Sequence, residues 1–158
     1  MPKIAIRELV AVAAAAVLAS LSGIAGAAEL NVMSATEMQA AIQELASAFE
    51  KKSGHKLKIE YGTSAQVEDK VGKGLDAELD VAILNKAQAD KLVSRAKLVA
   101  GTAVTLGKMN PDLIFVAASP FFSDQPFVAK AFIDFLATPE AKAVLKAKGI
   151  EPGLVPVL

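Results

Sequence analysis

Residues 29–71 read ELNVMSATEMQAAIQELASAFEKKSGHKLKIEYGTSAQVEDKV. Twice in this stretch an apolar strand runs through a serine into a helix. The first strand is Leu30–Met33, followed by Ser34 and a helical run over 36–52. Met38, Ile42, Leu45 and Phe49 recur at helical spacing there, and Gly54 stops the run. The second strand is Lys56–Tyr61, with Leu57, Ile59 and Tyr61 on one side. Gly62-Thr63-Ser64 then leads into a helix over Ala65–Lys73, stopped by Gly74. A helix start carries unpaired N–H groups and a partial positive charge, so a hydroxyl beside it makes a seat for an anion. Two such turns on neighbouring strands of a parallel sheet point at one spot.

Outward from this stretch the alternation continues. Leu79–Leu84 is a continuous apolar run, as in a strand buried on both faces, and Lys86–Ser94 is a third helix. The order predicts a mainly parallel α/β sheet with helices on both faces. Thr102–Leu106 and Leu113–Ala118 read as strands joined by the turn-like Gly107–Asp112, close enough to pair only as an antiparallel hairpin. Two helices follow. Pro126–Leu136 carries Phe127, Phe132 and Phe135; the last begins at Thr138-Pro139-Glu140 and ends at Gly149.

Upstream, Lys3 and Arg7 precede the apolar run Leu9–Ala25 and an Ala25-Gly26-Ala27 cleavage signal. Residues 1–28 thus have the three-part form of a secretory signal peptide, cut after Ala27 or Ala28, with an uncleaved anchor as the alternative. Export to the periplasm or beyond is expected, with residues 29–158 as one α/β domain. Cleavage removes two of the 17 basic and one of the 17 acidic residues, leaving a near-neutral 15 and 16. That balance, with 5% aromatic residues and no Trp, argues against a nucleic-acid surface. Cysteine is absent, which removes disulfides, thiolate metal sites, a cysteine nucleophile and a lipoprotein anchor.

The quoted stretch, together with ELDVAILNKAQADKLV, KLVAGTAVTL and AFIDFLATPEAKAVLKAKGIEPG further on, resembles the periplasmic molybdate-type substrate-binding proteins of ABC transporters. The likeness covers nearly all of residues 29–153. It implies a non-enzymatic protein without a cofactor or metal, which binds a small oxyanion and docks on a membrane permease. It also implies two α/β lobes with the anion between them. Here Thr102–Leu106 and Leu113–Ala118 resemble the two crossover strands, so most of the second lobe is missing and a short turn joins the strands instead. About 130 residues remain, an ordinary domain size. Ser34 and Thr63-Ser64 match the first lobe's anion-binding turns, and Asn85, following the third strand, stands on the same rim. Binding is then expected to be weakened, or restored by self-association that rebuilds a cleft. Closure of two lobes on a ligand cannot occur within one such chain.

Each of these residues also has a structural reading. Ser34-Ala35-Thr36-Glu37 and Thr63-Ser64-Ala65-Gln66 both fit the capping box, and Asn85 fits a turn. His55, the only histidine, falls at the far end of the second strand from the serines, as a solvated loop residue. That position disfavours a secreted serine hydrolase built on Ser34 or Ser64. Glu68, Asp69, Asp76, Glu78 and Asp80 read as solvated surface, and Gly72-Lys73-Gly74 as a helix stop. Phe121, Phe122 and Phe127 are either core or surface that a second lobe would hide. The second functional reading is an exported protein-interaction module without a ligand.

Overall fold

The computed structural model describes residues 26–152; the signal-peptide reading falls almost wholly outside them. The chain runs β1 (Glu29–Ala35), a 3-10 turn (Thr36–Met38), α1 (Gln39–Ser53), β2 (Lys56–Gly62), α2 (Ser64–Gly72), β3 (Val81–Asn85) and α3 (Lys86–Ser94). Then come β4 (Val104–Asn110), β5 (Leu113–Ala118), α4 (Pro126–Leu136) and α5 (Pro139–Ala147). The strands form one five-stranded sheet in the order β2-β1-β3-β5-β4. β1 pairs in parallel with β2 and β3, while β5 runs antiparallel to β3 and to β4. The expected lobe, with its antiparallel hairpin, is therefore present.

Strand alternation divides the core between two faces. Leu30 and Val32 of β1, Ile83 of β3 and Phe115 of β5 pack under α1, α4 and α5, against Met38, Leu45, Phe132 and Leu145. Met33, Ala82, Leu84 and Val116 face the other way, against Val67 and Val71 of α2 and Leu92 of α3. β3 is buried from Val81 to Leu84, as its unbroken apolar run requires. Phe132 is core and Phe135 half-buried, but Phe127 is 88% exposed at the start of α4.

Several sequence expectations shift. The first helix is preceded by a 3-10 turn, because β1 continues through Ser34 and Ala35, which pair with Tyr61 and Gly62. Thr102 lies in a 3-10 turn, and β4 runs on through Gly107, Lys108 and Met109, so only Pro111 and Asp112 separate the hairpin strands. The supposed linker is strand because Lys108 exchanges backbone hydrogen bonds with Glu151, at 2.9 and 2.8 Å, on its outer side. A Cβ at Gly107 would lie 2.6 Å from the Glu151 carbonyl oxygen. Glycine at this bulge is what lets the C-terminal segment close the β4 edge.

Asp80 is not solvated. It is buried just before β3 and accepts from the Asn31 N–H (2.9 Å), the Ser123 hydroxyl (2.7 Å) and the Gln125 N–H (3.3 Å). It thereby joins β1 to the loop after β5. His55 is half-buried rather than loose: its Nδ1 accepts from the Ala28 N–H at 3.1 Å, and its ring stacks on Phe49.

Replacing Asp80 by Ala leaves the Asn31 N–H and the Ser123 hydroxyl without their acceptor and is expected to cost about 2–3 kcal/mol in urea unfolding. Gly107→Ala is expected to cost about 1–3 kcal/mol, since the obstacle is backbone. An unchanged urea midpoint in either variant contradicts the corresponding account.

Candidate functional site

The C-terminal ends of β1, β2 and β3 lie side by side, and each feeds a helix start. In open α/β sheets this edge is where ligands bind. β5 returns antiparallel beside β3, with Phe115 opposite Asn85, so the Pro111–Asp112 turn also stands on this edge.

Thr63 and Ser64 begin α2. Thr63 has extended backbone angles and makes a complete capping box. Its hydroxyl accepts from the Gln66 N–H at 3.2 Å, and the Gln66 side-chain oxygen accepts from the Thr63 N–H at 2.8 Å. Gly62 makes this fold-back feasible, because a Cβ there would lie 2.9 Å from the same glutamine oxygen. Ser64 is buried and its hydroxyl accepts from the Asn85 N–H at 3.1 Å, tying the α2 start to the end of β3. Asn85 caps α3 through its side-chain oxygen, which accepts from the Gln88 N–H at 3.1 Å. Asn85 is thus a cap, one role its turn reading left out.

Ser34 differs. It is 0% exposed, and its hydroxyl donates to the Ala35 carbonyl at 3.2 Å. The capping box expected from Ser34 to Glu37 does not form: the cap position falls on Ala35, which has no side-chain cap bond. The extra strand residues at Ser34 and Ala35 move the helix start past the motif.

The structure therefore brings Ser64 and Asn85 into contact, with Thr63 next to Ser64, while Ser34 lies on the neighbouring β1, paired with Tyr61 and Ile83. The acceptor oxygens of Thr63, Ser64 and Asn85 face inward onto helix N–H groups and the end of β3. A hydroxyl that accepts still has its own hydrogen to give, and the Asn85 amide has two. The first-turn N–H groups of α2 and α3 add further donors. Hydrogen-bond donors therefore remain available along this edge. The nearest ammonium at the α3 start, Lys86, is engaged by Asp90 at 2.9 Å. Among the described residues, two buried side-chain polar atoms have no hydrogen-bond partner: the Tyr61 hydroxyl, from the end of β2, and the Gln88 side-chain oxygen, from the first turn of α3. Tyr61 is beside Ser34 in the strand register. Its place one residue before Gly62 puts it next to the second turn in the sequence as well.

Burial pushes the Tyr61 phenol above its ordinary value of 10.0. On the opposite side of β2, Lys70 hydrogen-bonds Glu60 at 2.6 Å and holds that carboxyl below the usual range. The acidic set does not assemble: among the described residues, no group of three or more His, Cys, Asp or Glu side chains could hold a metal ion. His55 precedes β2 whereas Ser64 follows it, so the strand's length separates the histidine from the serines.

Comparisons with known proteins agree with this architecture. A family model described as bacterial extracellular solute-binding protein matches residues 30–111, more than half of the chain. The chain belongs to that family. Among solved structures it is similar to the substrate-binding domain of a putative molybdenum ABC transporter from Clostridium difficile. That likeness has a TM-score of 0.73 and 12% identity, over 80% of this chain and 100% of that one. The periplasmic molybdate-binding protein of Azotobacter vinelandii gives a TM-score of 0.71 and 14% identity, over 78% and 99%. Iron-bound HitA from Pseudomonas aeruginosa gives 0.63 and 14%, over 82% and 90%. At these identities the likeness is one of fold. No curated protein matches the sequence.

Two outcomes follow for this edge. Thr63→Ala is expected to lower stability by about 1 kcal/mol in chemical denaturation, as loss of a helix cap does. Tyr61 is the only tyrosine and there is no Trp, so its ionisation can be followed directly by absorbance at 295 nm. Its folded-state pKa is raised, so the associated stability is fully present below the unfolded value and is lost as pH rises through the folded one. The phenolate should therefore appear at higher pH in the folded than in the urea-unfolded protein. Coincident titrations contradict the burial argument.

Proposed function

We infer that this protein is an extracytoplasmic solute-binding protein of an ABC-type transporter. Its ligand is a small oxyanion of the molybdate or tungstate kind, held non-covalently at the edge formed by Ser34, Thr63, Ser64 and Asn85. The observation that carries this reading is the cluster of hydrogen-bond donors at that edge, where Ser64 and Asn85 are tied together and two helices begin. The oxygens of Thr63, Ser64 and Asn85 already accept hydrogen bonds from the protein, at 3.1–3.2 Å. Hydrogen-bond donors at helix N-termini suit an anion without any Lys or Arg. Ser34 joins by turning its hydroxyl from the Ala35 carbonyl to the anion.

The match to extracellular solute-binding proteins supports the transport setting, and the molybdate-binding neighbours agree with the choice of anion. No reaction is assigned: the one histidine is remote from Ser34 and Ser64, which disfavours a hydrolase. The remaining alternative, an exported interaction module that docks on a permease without a ligand, differs in one measurable respect.

Millimolar molybdate or tungstate should raise the melting temperature, because a ligand that binds only the folded state stabilises it. Replacing Ser34 and Ser64 together by Ala should abolish the shift. Failure of every oxyanion to shift the melting temperature supports the module reading; a shift that survives the double change moves the site elsewhere.

A further inference from the structure

At the opposite edge of the sheet, below the N-terminal ends of β1 and β3, two cavities adjoin. One, of about 210 Å³, has an acidic wall of Glu29, Glu78 and Asp124. The other, of about 680 Å³, has a basic wall of Lys73, Arg95 and Lys97. Leu75 and Phe122 line both and so stand between the two charges. None of these six charged side chains forms a salt bridge with another described side chain, although six salt bridges occur elsewhere. The apolar divide is open to solvent: Leu75 is 79% exposed and Phe121, on the basic side, 78%.

The surface is held firmly. The Phe121 N–H donates to the Lys97 carbonyl at 3.0 Å, and Leu98 bridges Pro120. Ala96 (φ 53°) in the basic wall and Glu78 (φ 45°) in the acidic one are the two non-glycine residues with positive φ among those described. Such backbone costs of order 1 kcal/mol and persists only where its surroundings over-determine it. A preordered surface loses little entropy on association.

A patch with acid on one side, base on the other and apolar residues between is complementary to itself. A two-fold axis lying along the divide in the plane of contact sets each copy's acidic wall against the other's basic wall. It also sets Leu75 against Leu75. That is the condition for an isologous dimer. We propose that this face is the interface of a homodimer, with Leu75, Phe121 and Phe122 at its centre and charge pairs between Lys73, Arg95 and Lys97 of one copy and Glu29, Glu78 and Asp124 of the other. The donor-lined edge lies at the other end of the strands, so both copies keep it open. The dimer does not depend on anion binding, and its failure leaves that reading untouched.

Sedimentation equilibrium of the protein purified after export tests this. At low salt the mass should double with concentration, and about 0.5 M salt should weaken the dimer by about tenfold or more, as screened charge pairs require. A single-chain mass at about 100 µM and low salt overturns the proposal. Two variants decide the contact: Lys73→Glu, Arg95→Glu and Lys97→Glu in one chain, and Glu29→Lys, Glu78→Lys and Asp124→Lys in another. Each alone should be monomeric, and their equimolar mixture should dimerise. A wild-type dimer whose two variants do not recombine, or which either variant alone still forms, overturns the assigned face. If either triple variant fails to melt cooperatively by circular dichroism, Leu75→Asp replaces it: persistence of the dimer in that variant overturns the proposal, and its loss supports it.

Discussion

The lobe depends on β1. It is the strand that pairs in parallel on both sides, with seven residues in register against β2 and three against β3. Leu30, Val32 and Met33 of β1 are buried, on the two faces of the sheet between them. A strand in that position has no polar side to give to water, and one residue of slip would exchange the two cores. Its ends are therefore fixed by polar contacts. At the start, Asp80 accepts from the Asn31 N–H and His55 from the Ala28 N–H. At the finish, Ser34 is buried and spends its hydroxyl on its neighbour's carbonyl. Whatever binds at the far edge meets a wall whose height is set by this strand.

The same constraint explains how the second half of the chain completes the lobe. β3 needs a neighbour on its outer side, and β5 provides it by running antiparallel. β4 then protects β5, and the segment at Glu151 pairs with Lys108 to cover part of the new edge. The fit is close enough that only glycine is accommodated at position 107. α4 and α5 cover the face that α1 leaves open, with Phe132, Ile133 and Leu136 against Phe115 and Leu106. A single lobe can thus bury both faces of its sheet and limit its exposed edges without a second one.

Element order and kind were legible in the sequence because period and punctuation agreed. Glycine 54 stops α1 in the left-handed conformation, and proline opens α4 and α5. What was not legible was decided by tertiary pairing. Ser34-x-x-Glu37 has the letters of a capping box, but strand pairing holds Ser34 and Ala35 extended, and the helix starts later. The Thr63 box forms because β2 ends at Gly62 and leaves Thr63 free to turn. Asp80 looked like one of five surface acids; only the return of the chain at Ser123 and Gln125 shows why it is buried. For the site, the residue types were legible, and their burial was not. No local signal indicates that Ser34 is fully buried, or that the Ser64 hydroxyl is engaged by the Asn85 N–H.

The direction of those hydrogen bonds limits how tightly a one-walled site holds an anion. Capping uses the acceptor side of each hydroxyl and leaves the donor side free, so helix stability and anion contact do not compete at Thr63 or Ser64. At Ser34 they do, because its one hydrogen is already given to Ala35. A hydrogen bond to a charged group contributes about 1.5–3 kcal/mol net, and each 1.4 kcal/mol is a factor of about ten in affinity. Lacking two or three donors that a facing wall would supply therefore weakens binding by about a hundredfold or more. An anion on one wall also stays partly hydrated, which lowers the value of every remaining contact. In the proposed site, the edge would contact an anion without most of the affinity that enclosure supplies. Only a second surface facing Thr63, Ser64 and Asn85 restores it.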